Sequence, residues 1–378
     1  MKVTIAIDSF KGSLSSLQAG YAAKKGILDV FPDAVVSVCA LADGGEGTTL
    51  ALTEGLDGKL EHITVTGPLG KKVDAFYGIL PDGTAVIEMA AAAGITLIND
   101  NERNPLNTTT FGVGELILDA LKKGCRKFII GIGGSATNDG GIGMLTALGY
   151  KFLDAQNKPV SIFGNGLEKI AHIDDTKVYP ELKDCTFKIA CDVTNPLCGD
   201  NGCSAVYGPQ KGATPKIISD MDLWLRCFAD LVKQKYPNAD KDFAGAGAAG
   251  GLGFAFMTFL DGKLLPGTEI VLNEIGLEKH IIESNIVVTG EGRLDSQTVM
   301  GKAPIGVARL AKKHSKPVIA FSGCATPDAD ICNEHGIDAF FPIVRSAATL
   351  EEALDIENAA KNMRATVKQV FNLIKKFN

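Results

Sequence analysis

No CxxC pair occurs in this chain, although it carries nine cysteines. Their closest spacings are Cys198–Cys203, Cys185–Cys191 and Cys324–Cys332. An odd, scattered set in a long chain is no disulfide framework, and it predicts free thiols in a reducing cytosol. No stretch of about 20 apolar residues is present, which excludes a spanning helix. The longest candidate, residues 85–98, is interrupted by Glu88. The N-terminus has Lys2 and Asp8 and no apolar signal core. The five histidines (His62, His172, His280, His314, His335) show neither HExxH nor His/Cys ligand spacing, which argues against a zinc site. There is no GxxxxGK[ST], no His-Arg-Asp or Asp-Phe-Gly of protein-kinase type, and no GxSxG. Basic excess is missing too. Lys plus Arg is 38 against 44 Asp plus Glu, a net charge of −6, which speaks against nucleic-acid or anionic-membrane partners. No internal repeat or low-complexity segment is visible.

What remains is an ordinary core-forming composition: 378 residues, 46% apolar and 22% charged. Residues 3–7 read as a buried strand. A helix follows over 16–31, opened by a capping box of Ser15 and Gln18. A second strand over 35–41 runs into a glycine loop and another helical stretch. Strand–loop–helix repeated twice points to a parallel α/β sheet. From 63 to 87, turns at Gly67-Pro68-Leu69-Gly70 and Pro81-Asp82-Gly83 predict antiparallel hairpins. Further helices are expected over 112–123, 215–236 and 252–260, strands over 127–132 and 187–190, and a loop over 205–212. The end of the chain returns to the opening pattern. Strands are expected over 285–289, 317–322 and 339–343, with a helix over 304–313. A last helix begins at the capping box Thr349-x-x-Glu352, its apolar stripe including Leu350, Leu354, Val367, Val370, Phe371 and Ile374. The expected architecture is α/β in two domains. A Rossmann-like or flavodoxin-like parallel domain is built from both chain ends (1–64 plus 283–378), with a mixed α/β domain inserted (65–282).

The chain holds 43 glycines, about 11% against a usual ~7%. They cluster after apparent strands, over 11–13, 43–48, 131–143 and 290–302. Loops at the carboxyl ends of parallel strands are where such folds bind ligands, and glycine lets backbone amides approach an anion. Gly245-Ala246-Gly247-Ala248-Ala249-Gly250 matches GxGxxG in letters only, because the polar residues before it form no strand. The charged loop residues say more: Lys11, Asp43, Glu46, Asn138, Asp139, Asp192, Glu291, Arg293, Asp295 and Lys302. Cations that neutralise phosphate, carboxylates that hold Mg²⁺ and a carboxylate that orients a hydroxyl are the inventory of phosphoryl transfer. The competing reading is that these acids cap helices and close turns.

Five blocks resemble the bacterial type I glycerate kinase family, in order along essentially the whole chain. They are Asp8-Ser9-Phe10-Lys11-Gly12-Ser13-Leu14-Ser15, Ala42-Asp43-Gly44-Gly45-Glu46-Gly47-Thr48, Gly133-Gly134-Ser135-Ala136-Thr137-Asn138-Asp139-Gly140-Gly141, Cys191-Asp192-Val193-Thr194-Asn195-Pro196-Leu197 and Thr289-Gly290-Glu291-Gly292-Arg293-Leu294-Asp295. The resemblance implies a kinase of D-glycerate that uses ATP and Mg²⁺ and has its active site between two α/β domains; the cysteine usage points to the cytoplasm. Its product would be 2-phosphoglycerate, with 3-phosphoglycerate as the older assignment.

On chemical grounds Asp192 is expected to orient the attacking hydroxyl, and Asp295 with Glu291 to hold Mg²⁺; the roles of Asp192 and Asp295 are interchangeable at this stage. Lys11 and Arg293 would neutralise phosphate or bind the glycerate carboxylate. Phosphate- or substrate-binding candidates are Ser13, Asp43, Gly44, Gly45, Glu46, Gly47, Thr48, Gly134, Ser135, Thr137, Asn138, Asp139, Asn195 and Lys302. Two rivals stand beside this reading: a dinucleotide-dependent hydroxyacid oxidoreductase, which needs a strand-led fingerprint, and a non-enzymatic sugar-acid sensor, which needs an output module. The hydroxyl phosphorylated and the oligomeric state are not legible.

Overall fold

Alternate residues Val3, Ile5 and Ile7 of the strand Lys2–Ile7 are buried, and so are Ala6 and Thr4 between them, so both faces of this strand are covered. That is the mark of a parallel sheet with helices on each side. The computed structural model describes residues 1–377 and divides into two compact units.

The first unit comprises Met1–Asp43, Leu50–Leu56 and Thr268–Asn378. Its five strands lie in the order Ala339–Pro342, Val318–Ala325, Ile286–Leu294, Lys2–Ile7, Val35–Ala40, and every neighbouring pair is parallel. Numbered within the unit and read from the other edge, that is 2-1-3-4-5, a flavodoxin-like doubly wound order; the sequence leaves Rossmann-like and flavodoxin-like arrangements open. The helix Ser16–Leu28 starts at the predicted Ser15–Gln18 capping box. It packs on Ile356–Phe377 so closely that a Cβ at Gly26 would stand 2.5 Å from the Arg364 carbonyl oxygen. Arg364 grips Asp29 with two nitrogens, at 2.8 and 2.7 Å.

Three details differ from expectation. The strand expected to stop at Thr289 continues through the glycine run to Leu294. Gly290 permits this, since a Cβ there would sit 1.9 Å from the Phe321 carbonyl oxygen of the next strand. The capping box at Thr349 is real but opens only the short helix Leu350–Leu354. Asp355 is extended at ψ 125°, and Ile356–Phe377 starts afresh. Leu350 is consequently 76% exposed, and the buried stripe is Met363, Val367, Val370 and Phe371.

The second unit comprises Gly44–Thr49 and Asp57–Gly267. Its main sheet runs Lys263–Leu265, Thr186–Ala190, Lys127–Gly131, Thr84–Glu88, Lys72–Ile79, Lys59–Thr66. The first four strands are parallel and the last two are joined antiparallel. The hairpin begins at Lys59, which pairs with Ile79, and the chain passes from one unit to the other at 43/44, 49/50, 56/57 and 267/268. Residues expected as a loop over 205–212 form the helix Cys203–Tyr207 and a 3₁₀ turn at Pro209–Lys211. The GxGxxG run, led by no strand, ends in left-handed backbone at Ala249, Gly250 and Gly251, and the regular helix follows from Leu252 to Phe259. Its Gly250 has φ 68°, and a Cβ there would meet the Thr137 carbonyl at 2.2 Å. These small residues seat the 137–140 loop rather than a dinucleotide. No helix among the described residues is long and apolar enough to cross a membrane.

Candidate active site

The carboxyl ends of Lys2–Ile7 and Ile286–Leu294 flank the point where strand order reverses, the place where such sheets bind ligands. A cavity of about 530 Å³ opens there, lined by Asp8, Lys11, Ser13, Asp43, Glu291, Arg293, Asp295 and Lys302. Its opposite wall is apolar, with Ile343, Leu350 and Leu354. Exposed Leu350 thus has a place, though not the one in the helix stripe that its spacing suggested.

Charge is finely divided in this pocket. Asp8 is buried, and its carboxyl is pushed up to about 7, by burial first, then by the charges of Asp43 and Glu291. Burial also raises Glu291, against a hydrogen bond from the Thr298 hydroxyl at 2.7 Å and the charge of Lys302. Burial pushes the same way at Asp295, but there Lys302, the Gln297 amide and Arg293 prevail, and the carboxyl lies below its usual range. Lys302 Nζ is 3.6 Å from Glu291 and 3.4 Å from Asp295. Arg293 Nε is 3.0 Å from Asp295, with 62% of its side chain exposed. Neighbouring carboxyls here are thus shifted in opposite directions by their surroundings.

The second unit has its own cavity, of about 340 Å³, at the carboxyl ends of Lys127–Gly131 and Thr186–Ala190. It is lined by Gly44, Gly45, Gly133, Gly134, Ser135, Asp192, Tyr207 and Lys211. Asp192 Oδ1 accepts from the Gly267 amide at 2.9 Å, which fixes its carboxylate. Gly44 admits no side chain, because a Cβ would lie 2.4 Å from Gly267 Cα.

Of the residues predicted from sequence, Lys11, Ser13, Asp43, Glu291, Arg293, Asp295 and Lys302 gather in the first pocket, and Gly44, Gly45, Gly134, Ser135 and Asp192 in the second. The others line neither. Asp139 is fully buried and its carboxylate accepts four bonds, from the Thr110 amide and hydroxyl and from the amides of Gly141 and Gly143. It holds a loop together, as the turn-closing reading had it. Asn138 donates to Ser204 Oγ. Asn195 donates to the Asn201 carbonyl and accepts from the Tyr207 hydroxyl. Thr137 is buried behind the pocket and turns its carbonyl toward Lys211. Glu46 is exposed, the Gly47 amide binds Glu88, and Thr48 heads a helix.

Two residues escaped the sequence reading. Glu88 accepts from the amides of Gly47 and Thr49, at 3.2 and 2.7 Å, and so shapes the 44–49 loop. Its signal was visible as the lone charge in an apolar run. Lys211 is 3% exposed, and its ammonium donates to Ser135 Oγ at 2.8 Å and to the Thr137 carbonyl at 2.6 Å. Burial brings it down to about 8, opposed by Cys203 and Asp139. Only its place in the turn Gly208-Pro209-Gln210-Lys211-Gly212 hinted at it.

One unit carries cations and carboxyls at the switch point of a doubly wound sheet, and the other carries a glycine-lined pocket with an aspartate on a mixed sheet; both are features of an α/β group-transfer enzyme. Comparison with known proteins narrows this class. Residues 3–375 match the Glycerate kinase family. The chain is 49% identical over 373 residues to Glycerate 2-kinase of Escherichia coli (strain K12), covering 97% of this chain and 98% of that protein. It is 47% identical over 376 residues to Glycerate kinase of Bacillus subtilis (strain 168), covering 99% and 98%. A crystal structure from Salmonella typhimurium LT2, provisionally described as glycerate kinase 2, superposes with a TM-score of 0.93 at 47% identity, covering 100% of this chain and 98% of that one. The chain belongs to the glycerate kinase family and is a phosphotransferase.

Proposed function

We propose that this enzyme transfers the γ-phosphoryl group of ATP to D-glycerate, giving 2-phosphoglycerate and ADP. Similarity over nearly the whole chain to a protein named Glycerate 2-kinase carries the reading. The two pockets fit it. The larger one offers Lys11, Arg293 and Lys302 to phosphates and an apolar wall to a base. The smaller one suits a small hydroxy acid, and Asp192 in its lining would orient the hydroxyl of that acid.

For Mg²⁺, Glu291 and Asp295 supply hard oxygen donors of the right kind. Among the described residues no three His, Cys, Asp or Glu side chains form a ready-made cage. That suits an ion held by one or two carboxylates together with substrate phosphates. When bound there it would offset charge on the phosphate oxygens. Lys302, which pairs with both acids, would offer its ammonium to the phosphates there. A cytoplasmic location accords with nine unpaired cysteines.

The test is ³¹P NMR of the enzyme with ATP, Mg²⁺ and D-glycerate. The expected outcome is a new phosphomonoester whose coupling to a single proton marks C2. Coupling to two protons would give 3-phosphoglycerate instead, and no glycerate-dependent product would sink the proposal.

A further inference from the structure

Lys211 is a buried ammonium without a counterion. Its two hydrogen-bond partners, Ser135 Oγ and the Thr137 carbonyl, are neutral, and among the described residues no carboxylate lies within 4.0 Å of it. The nearest influences are Cys203 and Asp139. Cys203 is itself a buried thiol pushed up to about 11, hence neutral. Asp139 is spent on four donors of its own loop. An unpaired buried charge costs several kcal/mol, and natural sites keep one where a ligand brings the missing charge.

The geometry says where that charge enters. Lys211 lines the small pocket together with Ser135 and Asp192. An ammonium has three protons and two are engaged, so one is left for a ligand. The Ser135 hydroxyl accepts from Lys211 and keeps its own proton to donate. The pocket lining therefore holds two donors for an anion and a carboxylate for a hydroxyl. We infer that Lys211 and Ser135 bind the carboxylate of a small 2-hydroxy acid, and so fix which end of the acceptor faces Asp192. This rests on the kinase reading above and adds the residues that select an acid over a neutral polyol. A lysine held near 8 also predicts that binding an anion in mild alkali draws in a proton, since the ligand's charge favours the protonated amine.

The experiment uses the full chain. D-glycerate, glycerol and inorganic phosphate are titrated calorimetrically into wild type, Lys211→Met and Lys211→Arg without nucleotide, at pH 8.5 in two buffers of unlike ionisation heat. KM for glycerate and for ATP is measured alongside. Wild type should bind glycerate with uptake of a fraction of a proton and should ignore glycerol. Lys211→Met should lose about 10- to 100-fold in glycerate affinity and KM, the worth of a charged hydrogen bond, with KM for ATP unchanged. Lys211→Arg should still bind, without proton uptake. Equal glycerate affinity in wild type and Lys211→Met, or no proton uptake by wild type, overturns the inference. So does a Lys211-dependent affinity for phosphate that exceeds that for glycerate, which would make the pocket a phosphate site. Melting temperatures show whether Lys211→Met is folded; should it not be, proton uptake by wild type and its absence in Lys211→Arg decide the matter. An active wild type with an indifferent Lys211→Met sinks the inference alone, whereas Lys211-dependent glycerate binding without phosphoryl transfer sinks the kinase reading alone.

Discussion

Glu291 and Asp295 share one ammonium, that of Lys302, at 3.6 and 3.4 Å, yet their carboxyls are driven in opposite directions. Glu291 is raised by burial, and Asp295 is lowered by Lys302, the Gln297 amide and Arg293. Of the two, Asp295 is the acid whose surroundings favour its ionised form. Asp295→Asn is expected to raise the Mg²⁺ concentration for half-maximal activity by at least about tenfold, with glycerate affinity little changed. A magnesium titration of the rate checks this. An unmoved midpoint would take Asp295 out of the metal role.

Asp192 is held by the Gly267 amide in the small pocket. Asp192→Asn keeps that acceptor and removes the charge. The expected loss in kcat is at least about 10²-fold, typical of a lost proton acceptor, with KM for ATP nearly constant. A near-normal kcat would move the orienting role to another carboxylate.

Asp139 tests the opposite claim. Its oxygens accept four bonds from Thr110, Gly141 and Gly143. An asparagine there turns an NH₂ toward donors. Asp139→Asn should cost about 2–4 kcal/mol of stability by denaturant unfolding. Protein that remains folded should keep its glycerate KM. A stable variant with a collapsed affinity would return Asp139 to the binding machinery.

Asp8 gives the enzyme a pH-dependent stability. Its carboxyl rises from the ordinary 3.8 to about 7 in the folded chain. Between those values the folded state holds more protons than the unfolded one, so stability falls as pH rises and levels off above about 7. The span is on the order of a few kcal/mol. Asp8→Asn should melt higher than wild type at pH 8, and the gap should close toward pH 4. Melting curves of the ligand-free protein across that range check it; a gap that stays constant with pH would contradict the assignment.

Much of the fold was legible because it rests on local rules. The capping boxes at Ser15 and Thr349 are both present, and so are the hairpin turns at 67–70 and 81–83. What escaped was set by distant partners. Residues 290–294 look like a loop until the strand Val318–Ala325 pairs with them, as Arg293 does with Cys324. Burial divides the binding candidates of the loop 133–141, and spacing alone does not show which of them face a ligand. Gly134 and Ser135 face the pocket, while Thr137, Asn138 and Asp139 turn inward. Lys211 belongs to none of the glycine blocks, and its partners Ser135 and Thr137 lie 76 and 74 positions away. Nothing in its own neighbourhood announces an unpaired charge.

The first unit draws on both stretches of chain, and this carries a consequence for its biogenesis. The Lys2 amide donates to the Asn285 side chain, 283 positions away, and the strand Lys2–Ile7 pairs with Ile286–Leu294. A ribosome adding about 5–20 residues per second needs on the order of tens of seconds between emitting one partner and the other. Through that interval an almost wholly apolar strand waits without its central neighbour. The second unit is nearly contiguous and has all its strands by Leu265. It is therefore placed to fold first, during translation, leaving the nascent N-terminal strand as the segment most in need of a chaperone.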